Sequence, residues 1–346
     1  MLLVVGVESD NGCLGHLKEP CRCIPANISI TIECLNGQFT DIDLDYFAVV
    51  GSGHFPTLRY LTFHGNQFTH LPSNLFGPYV ENVAGLQNLN LSHNFIRNIS
   101  NESFCGLESL ELLDLSYNKL ILFSDRDQDL SIFKPIGQSL RRLYLKNAFD
   151  QPLDSKLQMI RLTRISELAD FRQLTFLDLS SNSLNYFPKT FLCNFRRSLT
   201  FALDLSHNSL TTIEFQINCL RNLKILNLSA NKFKILDTYS MATIAAVKTD
   251  YAIRLDANIF ECNCNSSDFL LWLQKSVTKF HDVENIVCKK ASPKALAGKP
   301  VVNVNVNDLD CNIPVSKAKS NIIFYCILEI LSFAFFISYL SNLLIY

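Results

Sequence analysis

The apolar positions of this chain recur in one short phrase, leucine-x-x-leucine-x-leucine, followed three residues later by an asparagine. It reads LRYLTFHGN ending at Asn66, LQNLNLSHN at Asn94, LELLDLSYN at Asn118, LTFLDLSSN at Asn182 and LKILNLSAN at Asn231. SLTFALDLSHN at Asn208 slips by one residue in its first half, and YAIRLDAN at Asn258 is looser. These asparagines lie 23 to 28 residues apart except for one gap of 64 between Asn118 and Asn182. The gap holds a degraded unit, SLRRLYLKNAF, with Ala148 in the asparagine slot, which brings the count to eight units over residues 46–258, with an insertion near 121–170. Leucine-x-leucine alternation predicts a short strand whose leucines point inward while the residues between them face outward. A unit of about 25 residues cannot cover its own apolar side, so successive units stack into a curved coil. The ladder asparagine has both a donor and an acceptor to satisfy buried turn backbone. Phe76, Phe104, Phe191 and Phe195 recur on the return segments, where they are expected to pack the convex side of the core.

The outward middle positions of the strands are Thr62, Asn90, Asp114, Tyr144, Asp178, Asp204, Asn227 and Arg254. They form the candidate binding row of the concave face. Asp114, Asp178 and Asp204 offer an acidic stripe for a basic partner, although Leu-Asp-Leu-Ser is also the commonest wording of such strands. Six N-x-S/T sequons occur, at Asn27, Asn90, Asn98, Asn101, Asn227 and Asn265. Two of them, Asn90 and Asn227, fall in the binding row, where glycans would steer a partner elsewhere on the array.

Bare stacks fray at their ends, so terminal units need caps. Of the 12 cysteines, Cys13, Cys21, Cys23 and Cys34 precede the first unit, and Cys262, Cys264, Cys288 and Cys311 follow the last. These clusters mark cysteine-rich caps over 13–45 and 259–311 and point to an oxidising compartment. Three pairings per cap are open to the sequence, and a zinc site is the weaker alternative. Cys105, Cys193, Cys219 and Cys326 remain, and Cys193 and Cys219 sit at similar depth in adjacent repeats, close enough in pattern to bridge.

The termini add a membrane reading. Residues 1–12 open on the apolar MLLVVGV, read as a signal-peptide remnant or a disordered start. A stalk at 312–321 leads to an apolar run at 322–340 with one charge, Glu329, long enough to span a bilayer as a single transmembrane helix before a short end at 341–346. Lys317 and Lys319 on the outer side run against the usual charge bias, and a GPI signal is the rival reading. The expected localisation is the plasma membrane, single-pass, with the repeats outside.

Net charge is −1 and charged residues make up 18%, so no basic footprint for nucleic acid is present. Lys289, Lys290, Lys294 and Lys299 gather in the C-terminal cap, either as a heparan sulfate contact or as a solvated face. None of the seven histidines has a paired nucleophile or ligand spacing, and no phosphate-binding glycine loop appears. The sequence describes a binding scaffold with no catalytic, cofactor or metal residues.

Three stretches together resemble the trophoblast glycoprotein (Wnt-activated inhibitory factor) family. They are LTFHGNQFTHLPSNLF at the head of the array, the broken unit LRRLYLKNAFDQPLDSKLQMIRLTRISELADF, and the closing LDANIFECNCNSSDFLLWLQKSV with VNVNDLDC. The resemblance implies an α/β leucine-rich-repeat solenoid, a curved horseshoe with a parallel concave sheet, disulfide-bonded N- and C-caps and one C-terminal transmembrane helix. In caps of this kind the first cysteine pairs with the third and the second with the fourth, giving Cys13–Cys23, Cys21–Cys34, Cys262–Cys288 and Cys264–Cys311. It further implies a cell-surface glycoprotein that dampens Wnt/β-catenin signalling through a membrane partner of the Wnt co-receptor type; an adhesion or guidance receptor is the alternative. The family's basic cytoplasmic tail has no counterpart here, and Glu33 stands where vertebrate members carry lysine.

Overall fold

Each leucine-x-leucine segment becomes a strand, and the strands line up one per repeat. A computed structural model describes residues 17, 19–50, 55, 57–77, 83–122, 130–151, 154–198, 200–220, 223–246, 251–276 and 280–311. The N-terminal cap contains β1 (Arg22–Pro25), β2 (Ile30–Glu33) and the short helix α1 (Tyr46–Val50). The first four repeats supply β3 (Leu58–Thr62), β4 (His70–Leu71), β5 (Asn88–Asn90), β6 (Asn98–Ile99), β7 (Leu112–Asp114) and β8 (Arg142–Tyr144). After helix α2 (Ser155–Ala169) come β9 (Phe176–Asp178), β10 (Phe201–Asp204), β11 (Leu223–Asn227), helix α3 (Thr238–Ala245) and β12 (Ala252–Arg254). The C-terminal cap holds β13 (Glu261–Cys262), helix α4 (Ser267–Lys275) and β14 (Lys290–Ala291). Ten strands form the main sheet in the order β1-β2-β3-β5-β7-β8-β9-β10-β11-β12. β1 and β2 pair antiparallel, and every later pairing in that sheet is parallel.

The asparagine ladder shows why the phrase must end as it does. Asn208 Nδ2 donates to the carbonyls of Leu179, Leu205 and Ser206, while its Oδ1 accepts from the backbone N–H groups of Asn182 and Leu184. Asn94, Asn118, Asn182, Asn231 and Asn258 repeat this pattern and are buried. One amide thereby ties two turns of the coil together and pairs buried backbone groups that would otherwise lack these partners. The residue before each ladder slot adopts positive φ, at His93, Tyr117, Asn147, Ser181, His207, Ala230 and Ala257, and Gly65 takes that place in the first repeat. The left-handed turn there aims the following side chain into the core.

At Ala148 the ladder is broken, and the chain repairs it in two ways. The Leu120 N–H, which an asparagine in the next unit would have received, donates to the Ala148 carbonyl at 2.7 Å, and Leu120 and Phe149 form a parallel bridge. Beside this, Gln158 from α2 is buried and accepts from the Leu122 N–H at 2.9 Å while donating to the Leu120 carbonyl at 3.1 Å. The inserted helix therefore ties down backbone just beyond the broken rung with a side-chain amide of its own. α2 is held in place by the buried Met159, Leu162, Ile165 and Ala169, spaced for one helical face. Its start is capped by Asp154, whose carboxylate accepts from the Lys156 N–H. Its end presses on Gly137, where a Cβ would meet the Ala169 carbonyl oxygen at 1.8 Å, so only glycine fits.

Leucines from the strands fill the concave side of the core, and phenylalanines fill the other. Phe104, Phe133, Phe171, Phe195 and Phe201 follow one another with ring centroids 5.1 to 6.3 Å apart. In the C-terminal cap, Phe269, Leu270 and Leu273 of α4 are buried, and Trp272 meets Phe280 edge-on at 5.7 Å.

Four disulfides are present among the described residues. Cys21–Cys34 closes the N-terminal hairpin, Cys262–Cys288 and Cys264–Cys311 staple the C-terminal cap, and Cys193–Cys219 joins two adjacent repeats. Cys23 is also disulfide-bonded; Cys13, expected as its partner, lies outside the described residues. Cys105 is a free, half-buried thiol whose pKa is pushed up by burial and by the charge of Glu102. The apolar run 322–340, with Cys326 and Glu329, also lies outside the described residues, and no helix among those described is long and apolar enough to cross a membrane.

Candidate functional site

Strand register brings the middle positions into a single line: Thr62 pairs with Asn90, Asn90 with Asp114, Asp114 with Tyr144, Tyr144 with Asp178, Asp178 with Asp204, Asp204 with Asn227 and Asn227 with Arg254. All eight are half-buried on the concave face. The polar members close a turn. Oδ1 of Asp114, Asp178 and Asp204 accepts the N–H of Ser116, Ser180 and Ser206 at 2.8 to 2.9 Å. Asn90 and Asn227 do the same for Ser92 and Ser229. Aspartate and asparagine are thus interchangeable in this slot because the turn needs only the carbonyl-type oxygen.

Charge nevertheless accumulates. The Asp178 carboxyl is pushed above the usual carboxylate range, first by burial and then by the neighbouring charge of Asp204, with Lys146 and the Ser180 hydrogen bonds pulling the other way. Asn227 Nδ2 donates to Asp204 Oδ2 at 3.0 Å. Among the described residues neither aspartate forms an ion pair. At the far end of the row Arg254 is paired, with Nε 3.4 Å from Asp256 and an Nη nitrogen 3.9 Å from Asp282.

Two residues upstream runs a second outward row that the alternation should also have placed on this face. In the first four repeats it reads Tyr60, Asn88, Leu112 and Arg142; in the last four it reads Phe176, Ala202, Ile225 and Ala252. The change to an unbroken apolar run was visible in LTFLDL, FALDL, LKILNL and YAIRL, but a reading that stops at the middle position overlooks it. With Asp204, Asn227, Arg254 and His281, these four residues line a depression of about 320 Å³. Ile225 is 46% exposed there although it lies in the middle of the sheet.

The N-terminal half of the face is different. His64, His93 and Tyr117 form a column of rings 4.7 and 4.2 Å apart, and the Lys146 ammonium lies 5.8 Å from the Tyr117 centroid. Burial and the charge of His64 hold the His93 pKa below its ordinary value, against the opposing pull of Asp114.

Of the sequon asparagines, Asn27, Asn98 and Asn265 are exposed off the binding row, Asn101 is half-buried, and Asn90 and Asn227 lie in the row. Lys289, Lys290, Lys294 and Lys299 are exposed, and Lys290 reaches Glu261 at 3.9 Å. No group of residues suited to hold a metal ion occurs among the described residues.

A sheet with one parallel strand per repeat, an asparagine ladder and disulfide-stapled caps defines the chain as a leucine-rich-repeat protein. Leucine-rich-repeat family profiles match residues 56–120 and 173–195. More particularly, it is similar to trophoblast glycoprotein. It is 28% identical over 305 residues to trophoblast glycoprotein of Macaca fascicularis, covering 85% of this chain and 67% of that protein. CD180 antigen of Mus musculus is 28% identical over 247 residues, covering 66% of this chain and 35% of that protein. The crystal structure of human trophoblast glycoprotein, also described as Wnt-activated inhibitory factor 1, superposes with a TM-score of 0.68 at 24% identity, over 88% of this chain and all (100%) of that one. The chain is a surface protein-binding scaffold, not an enzyme.

Proposed function

We propose that this chain is a single-pass cell-surface glycoprotein that dampens Wnt/β-catenin signalling by holding a membrane partner, of the co-receptor type, against its concave face. The observation that carries the reading is the likeness to trophoblast glycoprotein over 85% of the chain. The apolar run 322–340 supplies the anchor in this reading, and the concave face supplies the contact. Expression of the full chain in cells carrying a β-catenin-responsive reporter is expected to lower the response to added Wnt. An unchanged response, with the chain verified at the surface, would overturn the reading and favour adhesion, which a cell-aggregation assay reads directly.

A further inference from the structure

The apolar row of the last four repeats is the part of the surface that the fold itself does not explain. Phe176, Ala202, Ile225 and Ala252 face outward, contribute no turn hydrogen bond, and form an unbroken apolar row where the equivalent places earlier in the array include the polar Asn88 and Arg142. Their sizes alternate. Ala202 sits between Phe176 and Ile225, leaving a notch of one residue's width in the floor of the depression. Neighbouring strands are about 4.8 Å apart, so the row runs roughly 14 Å across the sheet, the reach of about four residues of extended chain.

The carboxylates beside the row are only partly balanced. Asp204 lies two residues along the same strand from Ala202, and Asp178 lies beside it on β9. Arg254, which could have balanced them, is occupied by Asp256 and Asp282. Lys146 faces Asp178 from the other side but keeps its ammonium over the Tyr117 ring. The depression therefore offers apolar contact beside a carboxylate pair that the nearest cations, held by other partners, only partly offset.

We infer that this groove docks an extended segment of a partner protein that inserts an aliphatic or aromatic side chain over Ala202, between Phe176 and Ile225, and sets a lysine or arginine one or two positions away against Asp204 and Asp178. Apolar contact gives the affinity, and the carboxylate pair selects a basic neighbour over an acidic one. The inference rests on the reading of this chain as a protein-binding scaffold but not on Wnt signalling, and it applies to a chain whose Asn227 bears no glycan, its Nδ2 donating to Asp204 as here.

A selection from a randomised 12-residue peptide display library against the full chain, with Ala202→Arg as the counter-target, tests it. Sequences pairing an apolar residue with lysine or arginine within two positions are expected to be enriched, and synthetic versions to bind more than about tenfold better than their glutamate counterparts. Ala202→Arg should weaken those peptides by more than about tenfold. Asp204→Asn, which keeps an acceptor for the Ser206 N–H, should abolish the preference for basic over acidic peptides while leaving apolar contact. Ile42→Lys, at a 90% exposed apolar residue of the N-terminal cap, should change nothing. A melting curve for each variant establishes that it is folded. Absence of enrichment over the counter-target, or peptides bound equally by Asp204→Asn with basic preference intact, overturns the assignment. Run in the reporter cells, the same variants separate the two readings. Reporter damping that survives Ala202→Arg in a chain that has lost peptide binding sinks any role of the groove in signalling. Peptide binding in a chain without damping sinks the Wnt reading and keeps the groove.

Discussion

One oxygen of every strand aspartate is engaged by a backbone N–H two residues later, so the effect of a substitution depends on whether that oxygen survives. Asp178→Asn keeps the acceptor and removes a charge crowded by Asp204; it is expected to raise the melting temperature at neutral pH. Asp178→Ala should instead cost about 0.5–1.5 kcal/mol, the net worth of a lost hydrogen bond. The advantage of asparagine has a defined pH dependence. Because the folded chain holds the Asp178 proton more tightly than the unfolded chain does, the wild type recovers stability as pH falls through that raised pKa, and the two melting curves should converge there. His93 has the opposite sense. Its folded-state pKa lies below the ordinary 6.5, so whatever it contributes is intact above that pH and declines as pH falls through it. An NMR titration should place its midpoint below 6.5, and His64→Gln should move it upward by removing a neighbouring charge; an unmoved midpoint would refute the coupling.

At the level of elements, α2 converts an interruption into a joint. Gln158→Ala removes the acceptor of the Leu122 N–H, while the Leu120 carbonyl keeps the Asp150 N–H, and is expected to cost about 1–3 kcal/mol, measured by denaturant unfolding. This is more than a surface helix residue should matter, and nothing in the sequence around Gln158 announces it. The strands and their middle row were legible because each unit states its own geometry locally: leucines alternate and an asparagine closes. The Cys193–Cys219 proximity was legible for the same reason, since both residues hold matching places in neighbouring units. Gln158 was not, because its partners lie 36 and 38 residues away and the degraded fourth unit removes the register that would have pointed to them. The turn-closing role of the aspartates was half legible, since asparagine stands in the same slot at Asn90 and Asn227, each followed two residues later by serine. Charge drew the eye to a stripe where the shared oxygen was the common property.

In the whole molecule, contacts run mainly between adjacent repeats, so damage should stay near its origin. Replacing Cys193 and Cys219 by serine opens a loop of 26 residues and is expected to remove up to about 3 kcal/mol. Hydrogen exchange should quicken in β9, β10 and β11 while β3, β5 and β7 keep their protection; uniform acceleration would mean that the array melts as one body. The lone tryptophan makes a further distinction measurable. Trp272 stands against Phe280 beyond the final coil, so intrinsic fluorescence is a gauge of that terminal lid alone, whereas far-ultraviolet dichroism averages over the entire arc. Heated with both detectors on one sample, the protein carries its own thermometer for whether lid and arc let go together.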